Sequence, residues 1–199
     1  VKDAPVAALI LAAGASTRMG RPKQTLPFRG STLLRRVAEQ AVASTASRVF
    51  AVLGANAAVV APALHDLPVE LIWNPDWAEG QAASVRTGVR YLLERAPETA
   101  AVLFLLSDQP FVSAMTIDLL IATHRRTGAR IVANEQDGRL GVPALFSSPF
   151  FDELIRLQGD AGARHLLRAH AGEAVGLFLP GAELDVDTPA DYARLVAMS

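Results

Sequence analysis

The segment Leu9-Ile-Leu-Ala-Ala-Gly-Ala-Ser-Thr-Arg-Met-Gly-Arg-Pro-Lys-Gln-Thr-Leu-Pro27 runs from an apolar stretch straight into a loop of small residues that carries Arg18 and Lys23. Val6 to Leu11 reads as a strand, and a strand apolar at every position is one buried on both faces, as at the centre of a parallel sheet. From Ala12 to Gly20 only Arg18 and Met19 have bulk, so main-chain amides can approach an anion closely, and Gly14 and Gly20 can take positive φ. The Arg18 guanidinium can grip a pair of phosphate oxygens, while the Lys23 ammonium acts as a mobile point charge. Charge-assisted bonds of this kind contribute about 1.5–3 kcal/mol each. Pro22 and Pro27 stiffen the exit. The same residues would also make a glycine-rich turn with solvated cations. The commoner phosphate loops are absent: Gly20 is followed by Arg-Pro-Lys instead of Lys and a hydroxyl residue, and the Gly-x-Gly-x-x-Gly spacing is missing.

Composition bounds what such a loop can serve. At 199 residues, 51% of them hydrophobic, the chain is long enough for one domain with a sizeable core, and residues 1–199 are expected to form it. A formal net charge of −1 without a basic block argues against nucleic acid or an anionic membrane as partner, so anion binding has to be local. The absence of cysteine excludes disulfides, thiolate metal sites and cysteine nucleophiles. Val6 to Ala13 is too short to span a bilayer and follows no basic signal region, which makes a cytoplasmic protein the expectation.

Outward from the loop, apolar strands alternate with amphipathic helices. Ser31 is placed to cap a helix running to Ser44 with Leu33, Leu34, Val37, Ala38 and Ala41 on its apolar face. Strands are expected at Val49–Leu53, Val69–Trp73 and Ala101–Leu106, with helices at Ala55–Leu64, at Ala82–Glu94 and from Ser113. Arg130–Asn134 and Gly141–Phe146 flank Asp137-Gly138 as a hairpin. Short helices from Ser148 and Asp160, a strand at Val175–Leu179 and a capping box at Thr188-Pro-Ala-Asp191 complete the chain. This alternation predicts an α/β fold with a largely parallel sheet, helices on both faces, and ligands at the carboxyl ends of the strands.

Several candidate residues follow strands. Asp108, directly after Ala101–Leu106, is a hard oxygen ligand of the kind Mg2+ takes together with substrate phosphates, or a turn cap before Pro110. Asp185 and Asp187, spaced as on one side of a strand, offer a second carboxylate, or Asp187 caps the terminal helix. Gly80 to Gly88 begins a helix whose amides, with the Ser84 hydroxyl, could read a base or ribose; Asn74 ends the strand before it. In Gly159-Asp-Ala-Gly-Ala-Arg164, Arg164 could pair with an acceptor phosphate or with a local carboxylate. His65, His124, His165 and His170 have no ligand spacing and read as non-functional.

The string Leu-Ala-Ala-Gly-x-Ser-x-Arg-Met-Gly-x-x-Lys-x-x-Leu-Pro resembles the nucleotide loop of the molybdenum cofactor nucleotidyltransferases, most closely the cytidylyltransferase branch. Asp108-Gln-Pro110 fits that family's metal-binding Asp-x-Pro, and Asp185-Val-Asp-Thr-Pro189 its C-terminal Asp-Ile-Asp-Thr-Pro. Gly141-Val-Pro143 and Gly159–Arg164 match segments of the half that receives the cofactor. The resemblance implies a single-domain, Rossmann-like three-layer fold. It also implies Mg2+-dependent transfer of CMP from CTP to the terminal phosphate of molybdopterin, with a client molybdoenzyme downstream. By the same resemblance Leu11, Ala12, Ala13, Gly14, Arg18, Lys23, Asn74, Gly80 and Ser84 hold the nucleotide, and Gly141, Pro143 and Arg164 the acceptor. Asp108 and Asp187, with Asp185 in reserve, hold the metal, and Arg18, Lys23 and Asp108 carry catalysis. Guanylyl-transferring relatives have Ala-Gly-Gly where this chain has Ala12-Ala13-Gly14, so the Ala13 methyl would narrow the space beside the base and favour a pyrimidine. The chain departs from the pattern at Gln24-Thr25, where relatives often carry apolar residues.

Overall fold

β1 (Val6–Ala12) is buried at every position, as the central strand of a parallel sheet has to be. The structure, a computed structural model, describes residues 4–182 and 184–198; residues 1–3 and 199, the ends of the expected domain, lie outside the described residues. After β1 come a small hairpin of β2 (Pro27–Phe28) and β3 (Ser31–Thr32), then α1 (Leu33–Val42), β4 (Arg48–Leu53), α2 (Ala57–Val60), β5 (Val69–Trp73), α3 (Gln81–Arg95), β6 (Ala101–Leu106) and α4 (Ala114–Thr127). The remainder is β7 (Ile131–Gln136), β8 (Arg139–Ser147), α5 (Phe151–Leu154), α6 (Ala163–Ala169), β9 (Ala174–Leu177) and α7 (Pro189–Ala197). A seven-stranded sheet has the order β5-β4-β1-β6-β8-β7-β9. β4 and β6 run parallel to β1 between them and β5 parallel to β4, β8 runs antiparallel to β6 and β7, and β9 is parallel to β7. The expected three-layer α/β architecture is therefore the observed one. Among the described residues no helix is long and apolar enough to cross a membrane.

Alternation along β1 sends side chains into opposite layers. Ala7, Leu9 and Leu11 pack with Val85, Val89 and Leu92 of α3 and with α5 and α6, whereas Val6, Ala8 and Ile10 pack with Leu34, Val37 and Ala41 of α1 and with Ile117, Leu120 and Ile121 of α4. A smaller apolar cluster of Met19, Leu26, Phe28, Leu33, Val186 and Leu195 joins the small-residue loop to the C-terminal segment. Gly88 brings α3 onto the sheet: a Cβ there would come within 2.4 Å of Leu9 Cδ2 and 3.1 Å of Val52 Cγ2.

Local chemistry moves some boundaries. Ser31 does not cap α1, because it pairs with Phe28 in the hairpin; Thr32 is the cap, accepting from the Arg35 amide at 3.2 Å, and the helix ends at Val42. The expected helix at Ala55–Leu64 is α2 followed by a tighter 3-10 turn (Ala61–Leu64), the break falling where Pro62 lacks an amide proton. The helix expected from Asp160 begins at Ala163, and the strand expected at Val175–Leu179 spans Ala174–Leu177. The capping box at Thr188 and Asp191 forms as expected.

α6 ends at His170, whose ring bridges Glu153 at 2.9 Å and Glu173 at 3.3 Å and lies edge-on to Phe150. Glu153 and then Glu173 hold its pKa above the usual imidazole value, and Arg130, paired with Glu173, is the neighbouring cation. A raised folded-state pKa stabilises fully below the unfolded value of about 6.5 and loses that contribution as pH rises through the folded value. His170→Asn is expected to flatten that part of the stability profile, read by urea denaturation between pH 5 and 9. Gly88→Ala is expected to lower stability by about 1–3 kcal/mol through overpacking against Leu9, read as the urea midpoint.

Candidate active site

The carboxyl ends of β1 and β6 open into a cavity of about 650 Å³. The loop after β1 forms one wall. It turns at Ser16, whose carbonyl accepts from the amides of Met19 (3.0 Å) and Gly20 (3.1 Å), and burial of Met19 pins the turn while Arg18 stays exposed. A 3-10 turn (Lys23–Thr25) then aims Lys23 across the cavity.

There the Lys23 ammonium meets carboxylates from distant parts of the chain: it contacts Asp108, just past β6, and Asp187 Oδ1 at 2.7 Å, just before α7. Arg18 holds the other oxygen of Asp187 at 2.9 Å. The Val186 amide donates to the Asp108 carbonyl at 3.2 Å, so the carboxylate-bearing segments are tied together by their backbones. Burial alone would pull the Lys23 pKa below its usual value, but Asp108 and then Asp187 outweigh it and hold the ammonium above that value. Burial pushes Asp187 up, yet Lys23 and Arg18 prevail and keep its carboxyl below the usual range. Asp185 goes the other way: burial first, then the like charge of Asp108, raise it, against the opposing pull of Gln109 and Arg164. Its oxygens are engaged by Gln109 Nε2 at 2.8 Å and Arg164 at 3.3 Å.

The facing wall is the start of α3. Gly80 sits at φ 105°, where a Cβ would come within 2.4 Å of Asp160 Oδ1 and 2.6 Å of the Gly159 carbonyl, and Ala82 donates to that carbonyl at 3.1 Å. The Gly159-Asp160 turn is thereby docked on the N-terminus of α3. Ser84 borders the cavity, its hydroxyl accepting from Asn74 Nδ2 at 3.1 Å.

Of the residues expected at the site, Leu11, Ala13, Gly14, Arg18, Lys23, Gly80, Ser84, Asp108, Arg164, Asp185 and Asp187 border this cavity. Ala12 and Asn74 stand behind it: Ala12 is buried in the sheet, and Asn74, fully buried, holds Ser84, Thr87 and the Asp76 amide. Gly141 lines a second cavity, of about 570 Å³, that meets the first at Val142 and Arg164 and also takes in Arg139 and Arg168; Pro143 is buried beside it. None of the histidines lines either cavity. Sequence reading missed Gln24, Trp77 and Gln81, which border the first cavity, and Gln109, whose Nε2 reaches the carbonyls of Val142 (3.1 Å) and Ala182 (2.7 Å) between the cavities. The Gln24-Thr25 departure was the one signal for Gln24; the others lie in segments whose residue types point equally to caps and turns.

Among the described residues no three His, Cys, Asp or Glu side chains gather as a metal cluster. Asp108 and Asp187 nevertheless converge on one cationic point, the Lys23 ammonium. A pair of carboxylates fits Mg2+, which completes its shell with phosphate oxygens and water.

The chain is similar to nicotine blue oxidoreductase of Paenarthrobacter nicotinovorans (34% identity over 82% of this chain and 81% of that one). It is also similar to the molybdenum cofactor cytidylyltransferase of Escherichia coli (30% identity over 92% of each). The structure of Rv0371C of Mycobacterium tuberculosis H37Rv in complex with manganese superposes with a TM-score of 0.81 at 29% identity, covering 98% of this chain and 100% of that one. The model of the MobA-like NTP transferase domain matches residues 8–175. The chain thus belongs to the MobA-like NTP transferase domain family and is a nucleotidyltransferase.

Proposed function

We propose that the chain transfers CMP from CTP to the terminal phosphate of molybdopterin and releases pyrophosphate, with Mg2+ as the metal, in the cytoplasm, for delivery to a client molybdoenzyme. The observation that carries this reading is the convergence of Lys23, Arg18, Asp108 and Asp187 at the carboxyl edge of the sheet, on a loop of small residues. Similarity to the E. coli cytidylyltransferase over 92% of the chain supports the choice of base and acceptor.

In this reaction an acceptor phosphate oxygen attacks the α-phosphorus in line, and the bond from that phosphorus to the bridging oxygen breaks, its electron pair leaving with pyrophosphate. A phosphate monoester is largely anionic near neutral pH, so no protein base or nucleophile is required, in keeping with the absence of histidine from both cavities. Lys23 and Arg18 offset the charge that grows on the departing oxygens, and Gly80 and Ser84 hold the nucleoside. Asp108 and Asp187 would hold Mg2+, which supplies Lewis-acid neutralisation of the phosphates; Asp185, already engaged by Gln109 and Arg164, is the less available carboxylate. The acceptor occupies the second cavity, whose lining includes Arg139, Arg164 and Arg168 together with Val142 and Leu167, Arg164 being paired with Asp185 at 3.3 Å. Arg164, shared by both cavities, presents the attacking phosphate to the nucleotide.

The alternatives are guanylyl transfer to the same acceptor, nucleotidyl transfer to a sugar phosphate or methylerythritol phosphate, and a non-catalytic cofactor carrier. A pyrophosphate-release assay crossing CTP, GTP, ATP and UTP with molybdopterin and with sugar phosphates separates them: release is expected with CTP and molybdopterin, and no release with any pair would leave the carrier. Lys23→Ala and Asp108→Ala are each expected to cost about 2.7–4 kcal/mol of transition-state stabilisation, by analogy with removing one preorganised donor; wild-type rates in both would end the mechanism. Ala13→Gly, made where a buried methyl borders the cavity, is expected to shift the ratio of CTP to GTP turnover toward GTP, and an unchanged ratio would remove Ala13 from base selection.

A further inference from the structure

Lys23 and Gln24 are adjacent, yet they face different tasks. Lys23 reaches the carboxylates, whereas Gln24, only 1% exposed, is folded into the loop that follows β1. Its Nε2 donates to the Ala12 carbonyl at 3.0 Å and to the Gly14 carbonyl at 2.9 Å. Its Oε1 accepts from the Ser16 hydroxyl at 3.3 Å, and Ser16 Oγ in turn accepts from the Lys23 amide at 3.1 Å. The donor side of the carboxamide is therefore spent on carbonyls, and its acceptor side on the Ser16 hydroxyl. The Ala13 carbonyl between them is held separately, by the Ala55 amide at 3.1 Å.

We propose that Gln24 is a positioning residue for the triphosphate: it keeps the loop carbonyls away from the cavity and thereby presents the amides of Ala13 and Ala15 to the phosphates. This rests on the nucleotide-transfer reading above. In a trans peptide the N–H of one residue points opposite to the carbonyl of the residue before it. Fixing the Ala12 and Gly14 carbonyls on Gln24 therefore directs the N–H groups of Ala13 and Ala15 the other way, and Ala13, Gly14 and Ala15 border the cavity. The small residues that let an anion come close also leave the loop free to flip its peptides, and a flipped peptide would meet phosphate with a carbonyl oxygen. Gln24 removes that freedom. A purely apolar residue at this position would leave both carbonyls unheld.

The test uses the full chain with Mg2+ and inorganic tripolyphosphate, in calorimetry and in amide NMR. Wild type is expected to bind, with shifts at the Ala13 and Ala15 amides. Gln24→Met keeps the length and apolar stem but donates nothing; compared at a temperature where both proteins are folded, it is expected to bind about tenfold to a hundredfold more weakly and to lose those shifts. Gln24→Glu, which keeps the shape and sets a carboxylate against the carbonyls, is expected to weaken binding at least as much. Wild-type affinity in Gln24→Met would overturn the proposal. So would tripolyphosphate binding to wild type that leaves the Ala13 and Ala15 amides unmoved, a result available even if neither variant folds. If wild type binds no tripolyphosphate at all, the nucleotide reading itself fails.

Discussion

The Lys23 ammonium, held between Asp108 and Asp187, is the interaction on which the rest of the site depends. The Lys23 and Asp108 side chains are 16% and 8% exposed, and a charge that far from water is tolerated only with partners at hydrogen-bonding distance. The partners come from separate parts of the chain, one after β6 and one before α7, so the ion network can form only when the sheet is assembled and the C-terminal segment has come back to the first loop. The same groups that stabilise one another here are those a nucleotide triphosphate with its metal would engage. A carboxylate pair this close needs a cation between its members, and Lys23 supplies it.

Apolar packing sets up that electrostatics. Met19, Phe28 and Leu33 beside the loop share a cluster with Val186 and Leu195 of the C-terminal segment, so Met19 next to Arg18 and Val186 next to Asp187 are packed into one apolar unit. Gly80 and Gly88 play the matching part on the other wall, the first where the Gly159-Asp160 turn crosses α3, the second where α3 rests on Leu9. Placement of the polar groups thus follows from burial on both faces of β1, and the transfer chemistry needs positioning and charge rather than a protein nucleophile.

Much of this was legible in the sequence. Val6 to Leu11 announced a central strand because nothing polar interrupts it. Asp108 was placed at the carboxyl edge of the sheet because it follows the most apolar strand, and Thr188 to Asp191 announced a helix start because the cap residues and Pro189 agree. Illegible parts share one cause, a residue type with more than one ordinary use. Ser31 and Thr32 are both of a capping type, Ser the more favoured, and the β2–β3 hairpin decides for Thr32. Asn74 is polar and ends a strand, as a ligand contact would, but the structure spends its amide on supporting Ser84. Gln24 and Gln109 look like solvated glutamines until the carbonyls they satisfy are known, since those carbonyls are brought near by tertiary folding. The second cavity draws Arg139 and Arg168 from segments well apart in sequence, a pairing no local pattern encodes.

The proposed task of the paired carboxylates and Lys23 is to hold a metal-bound triphosphate. Its most direct test is calorimetric titration of CTP into the full chain, once with excess Mg2+ and once with EDTA. Tighter binding is expected with Mg2+, because without a metal the Asp108 and Asp187 carboxylates oppose the phosphates. Equal affinity under both conditions, or no binding in either, would contradict it.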